Sequence, residues 1–434
     1  MSTWKNWSGL ESATPERVLT PADADEVADA VREAAEAGRT VKMVGTGHSF
    51  TSISAPEGIM LRPDALTGIT SIDRDAMTVT ALSGTPLHVL NAELERLGLS
   101  LHNMGDIAEQ TLAGATSTGT HGTGGVKASL SAQLAGLRLV TGDGSIVDAS
   151  REENPDIFAA ARIGLGALGV ITHLTFEVEP LGLLEAHEQP MGWDEALARH
   201  DEFVTGNHHC DMYWFPHTDR MQVKTNNRLD PETATAEPLG RVRGWVDDDF
   251  LSNTLFGVVN RVGNAAPGLV PRINEVSGRL LSERRYSDVP HKVFTSPRRV
   301  VFKEMEYAVP REVGLDVLRE ARALIDRNDW RIGFPVEVRT TPADDITLGT
   351  SSGRESIYLA FHVHHRADHR AYFAGVEAIL KAAGGRPHWG KVHTRTAADL
   401  GSVYPRFEEF LAVRDRLDPD RVFANSYLRR VLGD

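Results

Sequence analysis

One short segment constrains this chain more than any other: Val44–Phe50, reading VGTGHSF, after the strand signal TVKMVG. Gly45 and Gly47 carry no Cβ, so the backbone N–H groups between them are free to turn toward an anion. Thr46 and Ser49 add hydroxyl donors. Alone, the segment reads equally as a tight strand-to-helix turn, and it matches neither the Rossmann fingerprint nor the P-loop. A second segment, Ala113–Gly124 (AGATSTGTHGTG), sharpens the reading. Its stretch ATSTGTHGTG holds three glycines and five Ser or Thr hydroxyls, bracketed by Leu112 and Leu130. A solvated surface turn rarely concentrates these types. Two such loops, each with one histidine, read as two walls of a site for a large phosphorylated cofactor.

The rest of the chain supplies a scaffold for that site. At 434 residues it exceeds one ordinary core, so two domains are expected. A net charge of −14 argues against a dedicated nucleic-acid binder. The single cysteine, Cys210, excludes an internal disulfide and any multi-cysteine metal site. The opening MSTWKNWSG carries no secretory signal, and no apolar run reaches membrane-spanning length, so a cytoplasmic protein is expected. Residues 22–37 read as an amphipathic helix capped by Thr20 or Asp23, and LHVLNAELERLG as another ending at Gly98. GLRLVTGDGSIVDA reads as a hairpin, followed by a helix in NPDIFAAARIG and a strand closing at Pro180. After Leu181, strand signals (CDMYWFPH, RVVFKEMEYAVP, FPVEVRT, IYLAFHVHH) alternate with the helical REVGLDVLREARALIDR and HRAYFAGVEAILKAAGG. Residues 228–290 resist assignment. The fold class is α+β, with a mostly antiparallel second domain backed by helices.

In Val336–Arg339 (VEVR), period-2 alternation sets Glu337 and Arg339 on one face and both valines on the other. His362 and His364 likewise share a face opposite Phe361 and Val363. Such strands fit a sheet that roofs a site, although a solvated ion pair explains Glu337 and Arg339 as well. Pro387–His393 (PHWGKVH) gathers two histidines, a tryptophan and Lys391; the alternative is a loop around a packed Trp389. A metal set from His362, His364, His388 and His393 lacks the usual tight spacing and carboxylate or cysteine partner, so no metal is expected. His208 and His209 are read as structural. The end of the chain reads as a helix, a DPDR turn and a tail whose Phe423, Asn425 and Tyr427 dock back on the body.

Together GTGHSF, ATSTGTHGTG, LGALGV, VEVR, HWGK and DPDRVFANSYLRRVLG resemble the vanillyl-alcohol-oxidase-type flavoproteins, over nearly the whole chain. Within them the chain is most similar to the sugar-1,4-lactone oxidases and the related alditol oxidases. The resemblance implies a two-domain flavoprotein: a PCMH-type FAD-binding domain (1–181), an antiparallel-sheet cap (182–400) and a C-terminal segment (401–434) that returns to the first domain. It implies FAD as cofactor, held by Val44, Gly45, Thr46, Gly47, His48 and Ser49, by Gly105 and Asp106, by Thr111, Gly114, Thr118, Gly119, His121 and Gly122, and near its adenine by Val170 and Ile171. In many members the histidine at the position of His48 is bonded to the flavin 8α carbon. Glu337, Arg339, His362 or His364, and Lys391 match the cap residues that surround substrate in alditol oxidases. Gly105-Asp106 departs from the Ala-Ser of alditol oxidases and resembles the animal lactone oxidases, which moves the expected substrate toward an aldonolactone. The implied partners are a sugar lactone or polyol and oxygen or another electron acceptor, with no nucleic acid or membrane, in a monomer or small homo-oligomer.

Overall fold

The computed structural model describes residues 3–230, 232–240, 261, 263–296 and 300–434. Three short strands, Arg17–Leu19, Ile59–Leu61 and Val41–Met43, form a parallel sheet with Ile59–Leu61 in the middle. The helix Ala24–Glu36 packs Val27, Val31 and Ala34 against it. Its cap is Asp23, whose side chain accepts from the Glu26 N–H at 2.9 Å; of the two residues expected there, Asp23 takes the role. A five-stranded antiparallel sheet runs Ile146–Ser150, Leu134–Val140, Val170–Glu177, Thr78–Leu82, Ile69–Asp73. The expected hairpin pairs Ile146 with Val140 at its closed end.

An eight-stranded sheet dominates the later part. Its order is Arg284–Asp288, Leu183–Gly192, Arg220–Leu229, His209–Trp214, Val336–Thr341, Ser356–His364, Phe302–Pro310, Arg386–Pro387, every pairing antiparallel. One face is apolar: Met212, Val223, Met305, Val336, Val338 and Phe361 pack under the helices Arg311–Arg327 and Arg370–Ala382. The other face is polar and turned to the first domain. Of the segment 228–290, residues 231, 241–260 and 262 lie outside the described residues; a helix, Val270–Leu280, and the edge strand Arg284–Asp288 account for much of the remainder.

Two expectations change on meeting the structure. Most of the second glycine-rich segment is helical: Leu112–Thr118 forms two turns, ended by Gly119 at φ +78°. Thr116 and Thr118 satisfy their hydroxyls on the carbonyls of Leu112 and Gly114, which offsets their low helix propensity. The C-terminal tail is also a helix, Ser426–Leu432, capped by Asn425. The segment after Thr396 joins the core of the first domain through Phe407, Phe410, Tyr427 and Leu428. Among the described residues no helix is long and apolar enough to cross a membrane.

Candidate active site

The two glycine-rich segments meet. A Cβ placed on Gly45 would lie 2.3 Å from Thr111 Oγ1, so only glycine permits the approach. Among the described residues, no backbone N–H from Gly45 to Ser49 donates to a main-chain carbonyl, whereas those on either side do: Val44 to Leu61 and Phe50 to Gly390. Consecutive unspent N–H groups above a close-packed floor suit a pyrophosphate, and the narrow trough they line suits an extended dinucleotide. Its walls include Gly45–Ser49, Thr111, Gly114, Thr118, Gly169, Val170 and Ile171. Val44 is 2% exposed and supports the floor from beneath. Gly119 belongs to the helix end and packs against Ile163. Lys42, not singled out in the sequence, lines the trough while donating to the Phe423 carbonyl at 2.9 Å; burial pushes its pKa down to about 7, against Asp418 and Glu57.

The trough continues into a hollow that shares His48, Ser49, Gln110 and Thr118 with it and adds Trp7, Gly105, Asp106, His121, Glu306, Arg339, His388 and Lys391. His48 stands at the junction. Its ring stacks on Trp7 at 5.8 Å, its Nδ1 lies 3.0 Å from the Thr46 hydroxyl, and burial lowers its pKa. Gly122 lies beyond the hollow, in the cap cavity.

The cap side is a set of buried charges placed by strand register. Glu337 and Arg339 are 7% and 8% exposed, so the pair is not solvated. Arg339 donates through Nη2 to Glu337 at 2.7 Å and through Nε to Asp211 on the neighbouring strand at 2.9 Å. Burial raises the Glu337 pKa, with Arg339 pulling the other way. Burial would likewise raise Glu304, but Lys391 and His362 hold it at about 2. Lys391 is ion-paired to Glu304, and His362 lies 3.4 Å from the same carboxylate. Glu306 pairs with His121 at 3.2 Å. His388, pushed down to about 3 by burial, accepts the Gly390 N–H at Nδ1, which leaves its proton on Nε2.

Thus Arg339 and Lys391 face the hollow, while Glu337 and His362 stand behind them and fix their positions. His364 lies outside this set, at the strand end beside His365, so of the two candidate histidines His362 is the one that joins the cluster. The four-histidine metal set is not assembled, because His393 is spent on the Tyr427 hydroxyl at 2.8 Å. Among the described residues, the groups close enough to share an ion are His121, Glu306 and His388, of which His121 and Glu306 are already paired. Trp389 is fully buried and donates to the Leu348 carbonyl, so the HWGK segment is a core anchor and a site residue at once. Glu304 and Glu306 were missed in the sequence. Their signal was available: FKEMEY places both on one strand face by the period-2 argument applied to VEVR.

Comparison with known proteins agrees with this geometry. Residues 15–150 match the FAD binding domain model, and residues 174–431 match the D-arabinono-1,4-lactone oxidase model. The chain is 40% identical to the L-gulono-1,4-lactone dehydrogenase of Mycobacterium tuberculosis, over 99% of both chains. It is 31% identical to the L-gulonolactone oxidase of Bos taurus (99% and 98% covered) and 32% identical to the alditol oxidase of a Streptomyces species (98% of each). In fold it is similar to a solvent-stable cholesterol oxidase, with a TM-score of 0.83 at 19% identity over 100% and 97% of the chains. A trough for a dinucleotide, roofed by an antiparallel cap bearing Glu-x-Arg and Lys391, and a family match over more than half its length place the chain in the D-arabinono-1,4-lactone oxidase family of FAD-dependent oxidoreductases.

Proposed function

We propose that the protein oxidises the C2 hydroxyl of an aldono-1,4-lactone of the L-gulono type and passes the electrons to oxygen, giving hydrogen peroxide, or to another acceptor. The observation that carries this reading is that Arg339 and Lys391 face the same hollow as Gly105 and His48, at the end of the dinucleotide trough. FAD, when bound, supplies the hydride acceptor. The chain supplies the rest. A neutral, hydroxyl-rich substrate needs fixed donors and acceptors to hold its reacting C–H within about 3–3.5 Å of that acceptor. Arg339 and Lys391 are such donors, each held by buried carboxylates. Their positive charges would also favour the negative charge that a hydride brings to its acceptor. Asp106 and Glu306 line the hollow as acceptors for the hydroxyl proton. The Nε2–H of His388 is a further donor.

The names of the relatives support a lactone, and Gly105 lines the hollow by which oxygen would approach, with its Cβ direction closed by the His121 carbonyl at 3.1 Å. We further propose that His48 is joined to the flavin. Its position between trough and hollow and its lowered pKa, which keeps the imidazole neutral, support that bond. We place the enzyme in the cytoplasm, as a monomer or small homo-oligomer. A second reading, oxidation of a polyol, draws on the Streptomyces alditol oxidase and the same Glu-x-Arg and Lys391 geometry. Anaerobic mixing with a panel of lactones and polyols separates the two. Bleaching of the flavin by lactones is expected; bleaching by polyols alone transfers the assignment to the second reading, and bleaching by neither sinks both.

A further inference from the structure

The polar face of the cap sheet continues past Arg339 into a cavity of about 410 Å³. The cavity adjoins the hollow at Asp106 and Arg339, which line both. Strand register sets Arg284, Glu188, Lys224, Asp211 and Arg339 in one row across five strands, with alternating signs. These charges are matched internally: Arg284 donates to both Glu188 oxygens, at 2.8 and 3.0 Å, and Arg339 to Asp211. A charged ligand would have to break a pair.

The amides flanking the row are different. Gln222 and Asn226 lie two residues either side of Lys224 on the strand Arg220–Leu229, so alternation aims all three at the cavity. Asn226 is 1% exposed, and among the described residues neither its Nδ2 nor its Oδ1 has a hydrogen-bond partner; Gln222 Oε1 has none there either. Burying unpartnered amide atoms is costly, so a group that enters the cavity and completes them, displacing water, is held in place. Hydroxyl groups do so, since each both donates and accepts.

We infer that this cavity, through Gln222 and Asn226, holds the hydroxylated side chain that projects from the lactone ring, and so sets the length of sugar the enzyme accepts. The inference rests on the lactone reading above. Adjacent strands lie about 4.8 Å apart, so the strand bearing the two amides is about 10 Å from that of Arg339. A lactone ring with a two-carbon tail, hydrogen-bonded at each end, spans that distance.

The test uses the flavin-loaded enzyme and its Gln222→Leu and Asn226→Leu variants, with Asn226→Ala if leucine is not accommodated. Each is reduced anaerobically by a hexono-, a pentono- and a tetrono-1,4-lactone, which carry two, one and no exocyclic carbons. For each variant, kcat/KM on the hexonolactone is expected to fall about 5- to 30-fold, the scale of one or two lost hydrogen bonds. On the tetronolactone it should stay within about twofold. Equal losses on all three lactones, or no loss in either variant, overturn the inference alone. A wild-type enzyme that no lactone reduces overturns the functional reading and this inference with it.

Discussion

Replacing Arg339 by alanine probes the centre of the site. Arg339 is the middle cation among Glu337, Asp211 and the hollow, 2.7 and 2.9 Å from the two carboxylates. Two separate costs follow. Removing one member of a buried pair typically destabilises a fold by about 3–5 kcal/mol, because the partner charge stays buried. Here the loss is tempered, since Glu337 already has a raised pKa and can take up a proton. The second cost is catalytic. Loss of one preorganised donor is worth about 2.7–4 kcal/mol, so flavin reduction should slow about 100- to 1000-fold. Arg339→Lys keeps the charge but cannot serve both carboxylates with a planar fork, so a smaller loss, roughly tenfold, is expected. Stopped-flow reduction under anaerobic conditions measures both variants, with flavin content checked by absorbance. Guanidinium ion added to the alanine variant should restore part of the rate. A flavin-loaded Arg339→Ala enzyme reduced within threefold of wild type would refute the placement of the site.

Acid precipitation should give a yellow pellet from wild type and a colourless one from His48→Ala; a colourless wild-type pellet removes the covalent bond and leaves the fold untouched. Gly105→Ala should slow reoxidation by oxygen, measured after anaerobic reduction. Because the new Cβ would come within 3.1 Å of the His121 carbonyl, a modest loss of thermal stability should accompany it; unchanged reoxidation would detach Gly105 from oxygen access. Asn425→Ala removes donations to the Ser52, Ile53 and Ala55 carbonyls and the cap on Leu428, so a loss of about 2–4 kcal/mol in urea unfolding is expected, and under 1 kcal/mol would show that the contact is dispensable. His209, His388 and His393 are all lowered by burial, so they stay neutral in the fold while the unfolded chain protonates near pH 6.5. Stability should therefore fall as pH drops below about 6.5, each histidine contributing up to ~1.4 kcal/mol per pH unit. A urea midpoint equal at pH 7.5 and pH 5.5 would contradict their burial as neutral bases.

How much of this was legible depended on the range of the physics. Gly45 and Gly47 stood out because small residues beside a strand end have few local uses, whereas Thr111 came only from the family resemblance. Glu337 and Arg339 were readable because strand alternation is a local rule. Asp211, Glu304 and Glu306 obey the same rule, but nothing local says that the strand of Asp211 lies beside Val336–Thr341 and that of Glu304 and Glu306 one strand further on, beyond Ser356–His364; only the sheet order does. The helix Leu112–Thr118 was hidden by its glycine and threonines, whose poor propensity is overridden by packing of Leu112 and Ala115 in the core. His364 was inseparable from His362 by alternation, since one strand end reaches past the cluster.

The contacts of Lys42 and Val41 bear on how the cofactor domain comes to exist. The Val41 N–H is bonded to the Val422 carbonyl at 2.8 Å, and Lys42 to Phe423 across 381 residues of chain. The wall of the dinucleotide trough is therefore finished only by residues translated after the whole cap. Contacts of such separation carry a large loop-closure cost and form late. During synthesis, that wall stays incomplete until Val422 and Phe423 have emerged, so the finished trough is a product of the whole chain and not of its first domain alone.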